Sequence, residues 1–479
     1  MVEDNLEKDR KHLLSFELKN FGPVSEGKIE VKPLTILIGP NNSGKSYTAM
    51  LIRAIFETLS QLSFPFFPDE DIIYRDSCIS LRDKIEQLSD NETLNVPETV
   101  IKELIEGILR EIYEERLKNE IIRLYSCEIN NLKKINGRQL ELIIDFNFTS
   151  ISLVIDKGNV KIVNYNVPIF LIEIKNDATI PRNIYNFIEK IICINRKFIE
   201  SPGDIEVVLR AINGMVKMTI MSKLPQCHYL PASRSGILNG YKVLVADVLK
   251  KMPYIGIKEI NMPSFSGVVA DFLSAIVNLP EKQGDFYELA RFFERRMLNG
   301  EINIDTSKRG RGEIKYKFGN KEIPLHRSSS TVSELAPFFL YLKYIIKPGD
   351  VFIIEEPEAH LHPENQRILA HLLVKLIRKG VYVILTTHSD YLLSQFNNFI
   401  VMNKIEPEKR KSKYKYDEED YLKRDDVCAY VFNYDKKSNG YKISDIEINE
   451  EDGISQDEFI RVLETLHKES VKLNRDINN

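Results

Sequence analysis

The sequence predicts an α/β fold with a mixed central sheet, an antiparallel β subdomain and a large insertion of helices and strands. Three observations lead to this prediction. A short apolar strand near the start of the chain runs through a glycine-rich turn into an amphipathic helix, and a second apolar strand ends in adjacent carboxylates. Between these two features the composition changes. We therefore divide the chain into an N-terminal part (1–62), an insertion (63–224) and a C-terminal part (225–479).

Length and composition limit the class of protein. The 479 residues are enough for two or three domains, and a net charge of −4 gives no global basic field for nucleic acid, although a local basic patch is compatible with it. The N-terminus is too charged for a signal peptide, and no apolar run reaches the roughly 20 residues of a membrane helix. The five cysteines are far apart and odd in number, which argues against a disulfide framework and is typical of a reducing cytoplasm. They form no Cys-x-x-Cys pair, so no cysteine zinc site is expected. We expect a cytoplasmic protein without a membrane segment.

The N-terminal part alternates apolar and polar residues, which predicts strands over Leu13–Leu18 and near Lys28–Val31. A short apolar run predicts a buried strand over Leu34–Ile38. Apolar residues then recur at helical spacing from Lys45 to about Leu62. Strand, glycine turn and helix in this order are typical of a mononucleotide-binding unit.

The insertion begins with helical spacing and ends with strand alternation. The apolar stripe of its first half has no sustained heptads, so packing against its own domain is favoured over a long coiled coil. Its second half predicts strands over Leu140–Phe146 and Ile151–Val163, the latter folded around the turn at Lys157-Gly158-Asn159. The stripe consists of Ile101, Leu104, Ile105, Ile108, Leu109, Ile112, Leu117 and Ile121.

The C-terminal part again predicts alternating strands and helices, and ends with two short strands and a helix. A mixed charge run at Lys404–Asp426 predicts a mobile surface loop. The other predicted elements are a hairpin (Ile302–Phe318), helices (Val332–Ile346, Pro363–Arg378) and strands (Asp350–Ile354, Val381–Thr386, Cys428–Asn433, Tyr441–Ile448).

The run from Gly39 to Ser46 matches the P-loop pattern G-x-x-x-x-G-K-[ST] in full. Two glycines let the backbone turn its N–H groups toward phosphates, and the helix N-terminus adds its positive dipole end. Lys45 is expected to reach the β- and γ-phosphates of ATP, and the Ser46 hydroxyl to bind Mg²⁺. A chance glycine turn is the alternative, and the flanking strand and helix favour the P-loop. The predicted nucleotide ligands here are Gly39, Asn41, Asn42, Ser43, Gly44, Lys45, Ser46 and Tyr47.

Four apolar residues run into Glu355-Glu356-Pro357-Glu358, which is the pattern of a Walker B strand. Glu355 is expected to hold Mg²⁺ together with Ser46, and Glu356 to polarise the attacking water. A solvated acidic turn is the alternative, but it does not account for the apolar strand.

Two further segments complete the predicted site. His388 follows an apolar strand, one helix and one strand after the acids, which favours a γ-phosphate sensor over a packed histidine. Hydroxyl residues gather before the helix at Val332. One interpretation is that Ser330 or Thr331 caps that helix in a capping box with a following glutamate. The other is that the helix N-terminus, with Ser329 and Ser330, faces a phosphate on a second protomer, and the two can hold at once. Both interpretations stand from the sequence.

With these motifs in this order, the chain resembles the soluble ABC-type P-loop ATPases related to RecF, SMC proteins and OLD-family nucleases. The resemblance is carried by 18–23 with 34–46, by 229–234 (YLPASR) at the Q-loop position, and by 355–363 (EEPEAHLHP), which is similar to the OLD-like Walker B and D-loop. It covers about residues 12–60 and 225–400. Departures are the serines where the signature usually has glycines, Glu355 where many P-loop enzymes have Asp, and the absence of a Q-loop glutamine. Ser233 or Arg234 stands in its place, or Arg234 makes a plain salt bridge.

The resemblance implies a head-to-head homodimer, or a higher homo-oligomer, with ATP between the P-loop of one copy and the signature helix of another. His360 would lie at that interface; a metal site with His362 is the alternative, for which no third ligand is evident. The residues after His388 contain no carboxylate pattern for a Toprim nuclease, so we expect none. ATPases of this pattern resemble the sensor subunits of prokaryotic anti-phage defence systems.

The leading functional hypothesis is therefore an ATP-hydrolysing dimeric switch or scaffold that controls a separate effector, such as a nuclease or toxin. The second hypothesis is a RecF-like DNA-repair ATPase that binds DNA, for which the hairpin tip offers Lys308, Arg309 and Arg311. A solvated hairpin tip is the alternative for those three charges. A transporter ATPase subunit is a third hypothesis, disfavoured by the glycine-poor signature and the large insertion.

Overall fold

The computed structural model describes residues 12–60, 80, 83–84, 87, 93–134, 139–146, 149–167, 171–175, 187–188, 191–195, 225–254, 265–305 and 313–477. The elements in chain order are β1 Leu14–Phe21, β2 Val24–Val31, β3 Leu34–Ile38, α1 Lys45–Ser60, β4 Thr93–Asn95, α2 Glu98–Leu109, α3 Leu117–Tyr125, β5 Leu140–Phe146, β6 Thr149–Asp156, β7 Asn159–Asn166, β8 Leu171–Lys175, β9 Phe187–Ile188, β10 Ile191–Asn195, β11 Cys227–Leu230, α4 Arg234–Lys251, α5 Gly267–Val277, α6 Tyr287–Leu298, β12 Glu301–Asp305, β13 Glu313–Phe318, β14 Lys321–Pro324, α7 Ser330–Tyr344, β15 Val351–Glu355, α8 Pro363–Arg378, β16 Tyr382–Thr387, α9 Asp390–Met402, α10 Pro407–Tyr414, β17 Val427–Asp435, β18 Gly440–Asp445, β19 Ile448–Asn449, β20 Gly453–Ile454 and α11 Asp457–Ile477.

Eleven strands form one mixed sheet in the order β11-β15-β16-β3-β17-β18-β2-β1-β5-β6-β7. The first five of these strands are parallel to one another. The β1–β2 pair and the strands from β5 to β7 are antiparallel. A further antiparallel sheet contains β12, β13 and β14. The predicted α/β class, with a mixed central sheet and an antiparallel β subdomain, is confirmed.

Both faces of the parallel half are covered, which explains why its strands are apolar throughout. Every residue of β3 and of β15 is buried. In β3, Leu34, Ile36 and Ile38 point into one apolar cluster, which also contains α7, α8 and α9, while Leu37 points into the cluster of the opposite face with α1. The sheet is therefore a rigid middle layer between two helical layers.

The apolar stripe predicted between residues 101 and 121 packs against the body of the protein. It lies on α2, on a π-helical segment at Arg110–Arg116 and on α3, and its residues are buried in the cluster that contains α1. Strands β5, β6 and β7 continue the main sheet outward from β1. The central region thus contributes both to the helical layer and to the sheet, while the division of the chain at residues 62 and 224 stays a prediction.

The predicted hairpin at Ile302–Phe318 corresponds to β12 and β13, which pair from Glu301 to Lys317. Its tip, with Lys308, Arg309 and Arg311, lies outside the described residues. None of the described helices is both long enough and apolar enough to cross a membrane.

The prediction of a mobile loop over Lys404–Asp426 is wrong. Helix α10 lies inside this segment, and the buried Arg410 side chain donates to the carbonyl oxygens of Ile405, Asn403 and Glu418. Asp420 is fully buried. Its carboxylate forms an ion pair with Lys375 at 2.9 Å and lies 2.8 Å from Nε2 of His371, both on α8. Both buried charges are therefore held by partners within the protein rather than by water, which composition does not show.

Candidate nucleotide-binding site

The parallel strands end at one edge of the sheet, and the motif residues follow directly from those ends. Glu355 is paired with Thr386 across β15 and β16, and Thr387 with Ile38 across β16 and β3. The residues after these pairs therefore leave the sheet side by side, as expected at the carboxyl edge of parallel strands. The P-loop, the Walker B acids and His388 are brought together at this edge.

The P-loop backbone needs glycine at both ends. Gly39 has φ +151° and Gly44 φ +105°, conformations that residues with a Cβ rarely adopt. A Cβ at Gly39 would lie 2.9 Å from Cβ of Phe432, and one at Gly44 would lie 2.7 Å from Cγ2 of Val24. The turn between β3 and α1 is thus held tightly between β17 and β2, with its N–H groups at the start of α1.

Lys45 lies folded back over the loop that precedes it. Its Nζ donates to the carbonyl oxygens of Gly39 and Pro40, both at 2.8 Å, and the side chain is buried. Burial lowers the pKa of Lys45 to about 8, although the nearby acids, Glu356 first among them, act in the opposite direction. The ammonium group of Lys45 thus lies against the P-loop, where its hydrogen-bond acceptors are two neutral carbonyl oxygens.

The other predicted P-loop ligands are divided between exposed and buried positions. Ser43 is buried, and its hydroxyl has no hydrogen-bond partner among the described residues. The Tyr47 ring is partly exposed and packs edge-on against Phe21 and Tyr125. Among the other predicted ligands, Asn41, Asn42 and Ser46 are also exposed.

Glu355 is held at the end of β15 by neighbours from another segment. Its carboxylate accepts from the Tyr229 hydroxyl at 2.7 Å and from the Ala232 backbone N–H at 3.0 Å. Tyr229 lies in β11, which pairs with β15, and Ala232 follows the end of that strand. Each oxygen keeps a free lone pair, so the carboxylate can still bind a cation.

Glu356 begins the turn after β15 with a left-handed φ of +42°. Its N–H donates to the carbonyl oxygen and to the hydroxyl of Thr386, which fixes the turn against β16. The carboxylate is half exposed, and its Oε1 lies 3.9 Å from Nε2 of His388. Burial and the charge of Lys45 lower the pKa of His388, while Glu356 raises it. A neutral imidazole is therefore favoured beside the carboxylate.

Glu358 was not among the predicted site residues, yet it braces the His388 segment. Its Oε1 accepts from the Thr387 hydroxyl at 2.7 Å and from the His388 N–H at 2.8 Å. Its other oxygen, Oε2, is buried without a partner among the described residues, and burial raises the pKa of this carboxyl. Its position as the third acid in the run Glu355-Glu356-Pro357-Glu358 could have indicated this role from the sequence.

Arg234 connects the acids to the signature helix. Its guanidinium is buried and donates to the carbonyl oxygens of Pro231, Glu355 and Glu356. It also forms a buried ion pair with Glu334 at 3.6 Å. The Glu334 carboxylate accepts the first two N–H groups of α4, from Arg234 and Ser235. Of the two interpretations of Arg234, the structure shows the salt bridge.

The predicted capping box before α7 is wrong. Ser329 is the N-cap, and its hydroxyl accepts from the Val332 N–H, while Glu334 caps α4 instead. Both Ser329 and Ser330 are exposed at the start of α7. The next residue, Thr331, donates to the carbonyl oxygen of His360. The signature segment and the D-loop position are thus in contact within one chain.

The His360 side chain is exposed, and its backbone has a left-handed φ of +61°. His362 has a separate role, because its Nδ1 accepts from the Glu364 N–H and caps α8. Among the described residues no group of three or more His, Cys, Asp or Glu side chains could hold a metal ion.

Three solved structures are similar to this chain, each with 13% sequence identity. They are the SMC head bound to the C-winged helix domain of ScpA (91% of this chain and 97% of that chain, TM-score 0.38), the SMC head domain from Thermotoga maritima (91% and 100%, TM-score 0.34), and the SMC head domain with an extended coiled coil bound to the C-terminal domain of ScpA derived from Pyrococcus furiosus (95% and 98%, TM-score 0.37). At these TM-scores the likenesses carry no argument about function.

No curated protein matches the chain. The AAA ATPase domain family matches residues 12–393, from just before β1 into α9. This range contains the P-loop, the acids after β15 and His388, and it is well over half of the chain. The chain therefore belongs to the AAA ATPase domain family.

Proposed function

We propose that this protein binds ATP with Mg²⁺ at the P-loop and hydrolyses it, and that a second copy of the chain completes the site. The observation that carries the proposal is the meeting of three elements at one sheet edge: the P-loop after β3, the acids after β15 and His388 after β16. Each of the three supplies a different part of phosphoryl transfer chemistry.

Phosphate binding is supported by groups that lack a charged partner. The Lys45 ammonium contacts two neutral carbonyl oxygens, and phosphate oxygens would be stronger acceptors for the same N–H groups. The buried Ser43 hydroxyl has a free donor in the same loop. The N-terminus of α1 adds its N–H groups and positive dipole end.

The donor set fits Mg²⁺, which prefers oxygen ligands and is usually shared between one or two carboxylates, waters and nucleotide phosphates. Glu355 would supply the carboxylate and Ser46 the hydroxyl. The hydrogen bonds from Tyr229 and Ala232 hold the Glu355 carboxylate in place before any metal binds. When bound, the ion would neutralise charge on the β- and γ-phosphates.

Hydrolysis is assigned to Glu356, with His388 as the neighbouring sensor. The Glu356 carboxylate is half exposed, so water can approach it, and its turn is fixed by two hydrogen bonds to Thr386. A neutral His388 can accept or donate a proton beside the carboxylate. A positioned carboxylate of this kind contributes about 10²–10⁴-fold to rate.

The second copy is proposed because part of the predicted site faces outward. Ser329 and Ser330 expose the N-terminus of α7, which offers N–H groups to an anion, and His360 is exposed beside them. ATP bound between two copies would make dimer closure depend on nucleotide. Control of a separate effector in anti-phage defence is the biological role that we propose from the OLD-like resemblance alone.

Two variants test the enzymatic part. Lys45→Ala is expected to abolish ATP binding, because it removes the ammonium group from the phosphate site. Glu356→Gln is expected to retain ATP binding, to lose about 10²–10⁴-fold in turnover, and to accumulate an ATP-bound dimer. Glu322→Gln, an exposed acid on β14, is the matched control. Wild-type turnover in both Lys45→Ala and Glu356→Gln would exclude hydrolysis at this site.

A further inference from the structure

Helix α11 leaves the body of the protein after its first turn. Phe459 packs against the core cluster below α9, and the Gln456 amide donates to Ser394. Beyond that anchor, every residue from 460 to 470 is exposed, and exposure continues over 472–476. A helix of 21 residues, about 31 Å long, therefore stands almost entirely in solvent.

The exposed helix carries an apolar stripe that one polar residue interrupts. Positions 459, 463, 466, 470, 473 and 477 alternate four and three residues apart, which is the spacing of a heptad seam. Leu463, Leu466 and Leu473 on this seam are 59%, 56% and 58% exposed. The six seam residues are Phe459, Leu463, Leu466, Ser470, Leu473 and Ile477.

A helix in this situation is marginal without a partner. Tertiary packing of an apolar face supplies most of the stability of protein helices, and α11 packs only at its start. Its surface ion pairs, Arg461 with Glu458 and Lys468 with Glu464, are exposed to solvent and add little to its stability. A partner that packs against the exposed seam would therefore supply the stabilisation that α11 lacks.

The charges on α11 decide which occupant fits. Five acidic and four basic side chains surround the seam, so the helix has almost no net charge. Anionic membranes and nucleic acids attract basic helices, and neither matches this balance. The seam itself contains no charged residue, and it is complementary to an identical seam.

We propose that α11 pairs with α11 of a second copy in a parallel, in-register, two-stranded coiled coil. The register follows from Ser470, the one polar residue on the seam. In a parallel, in-register pair, Ser470 packs against the Ser470 of the partner subunit. In any other register a leucine would pack against the serine hydroxyl, so this polar position favours the in-register pair. This contact lies outside the ATP site and does not require nucleotide. Because it spans under three heptads, it is a weak dimer contact on its own and raises the effective concentration of the two ATP sites.

The test measures self-association of the full chain without nucleotide, by sedimentation equilibrium over a wide range of concentration. Wild type and Lys45→Ala are both expected to form dimers. Because Lys45→Ala is expected not to bind ATP, its dimerisation tests the α11 contact independently of the proposed ATPase function. The double variant Leu466→Asp with Leu473→Asp is expected to be monomeric. Thr465→Asp with Lys472→Asp, placed off the seam, is the matched control and is expected to dimerise. A monomeric wild type, or a dimer that survives both seam substitutions, overturns the proposal.

Cysteine cross-linking tests the geometry. Leu466→Cys lies on the seam and is expected to form an intermolecular disulfide under mild oxidation, above the background given by the native cysteines. Lys468→Cys lies on the outer face of the helix and is expected to stay at background. Equal cross-linking at both positions contradicts a parallel seam, as does cross-linking at neither.

Discussion

The three acids that follow β15 differ in what their carboxylates contact. Glu355 is held by a hydroxyl and a backbone N–H from another segment. Glu356 faces His388 at 3.9 Å and is half exposed. Glu358 accepts from the segment that carries His388. At the scale of residues, the three carboxylates of one acidic run thus have three different sets of contacts, which is why we propose different roles for Glu355, Glu356 and Glu358.

Replacing Glu358 by alanine is expected to lower kcat by about tenfold with little change in KM. The Thr387 hydroxyl and the His388 N–H would lose their acceptor, and each unsatisfied donor costs about 1–3 kcal/mol, so His388 would no longer be held at one position. Glu358→Gln keeps an acceptor oxygen and is expected to restore most of kcat. Steady-state ATPase kinetics measure both values. Wild-type kcat in Glu358→Ala, or equal damage in the two variants, would show that Glu358 does not position His388.

The sequence predicts these residues as far as local spacing reaches. The P-loop pattern lies within eight consecutive residues, and a glycine turn between strand and helix has few alternatives. The partners of Glu355 and Glu334 could not be predicted, because Tyr229 lies 126 positions from Glu355 and Arg234 lies 100 positions from Glu334. Both pairs meet only through the order of the strands in the sheet. Glu334 was expected to cap its own helix, and caps α4 instead.

Among the elements, α4, α7 and the turn after β15 are joined by one buried ion pair. Glu334 on α7 accepts the first two N–H groups of α4, and Arg234 on α4 donates to the carbonyl oxygens of Glu355 and Glu356. Helix α7 also carries Ser329 and Ser330 at its exposed end. A displacement of α7 would therefore be transmitted to the acids through Arg234.

Breaking this ion pair is expected to destabilise the protein strongly, whereas replacing both partners is expected to be milder. Arg234→Met leaves the buried Glu334 carboxylate without its counter-charge, and Glu334→Leu leaves the buried Arg234 guanidinium without its own. Each substitution is therefore expected to lower the free energy of unfolding by about 3–5 kcal/mol. The double variant removes both charges and is expected to recover part of the loss. Thermal unfolding of the two single variants and the double variant measures the coupling. Purely additive losses would contradict a direct pair.

Composition misled the prediction at one element for a physical reason. The 404–426 segment is rich in charge of both signs, which is typical of a solvated loop. In the structure, His371, Lys375 and the Asp417 N–H lower the pKa of the buried Asp420 carboxyl against the opposing effect of burial, and Tyr421 stacks between two guanidinium groups. Whether charges pair with one another or with water depends on tertiary neighbours that lie on α8.

At the scale of the whole molecule, the sheet order explains why distant motifs form one site. The P-loop strand β3 lies between β16 and β17, and β15 lies beyond β16, so residues more than 300 positions apart emerge at one edge. The antiparallel half continues the same sheet sideways, beyond β1, through β5, β6 and β7. The start of α7 and His360 are exposed on the surface, as our proposal that a second copy completes the site requires.

A composite site between two copies makes a quantitative prediction for mixed dimers. Lys45→Ala removes phosphate binding at the P-loop, and Ser330→Arg obstructs the exposed start of α7, so each variant alone is expected to be inactive. In an equal mixture with free exchange, half of the dimers contain one copy of each, and one of their two sites is intact, which restores about a quarter of wild-type ATPase activity. Steady-state turnover of the mixture, compared with each variant alone, measures this recovery. If each chain contained a complete site, mixing would restore nothing, and the two-copy arrangement would have to be abandoned.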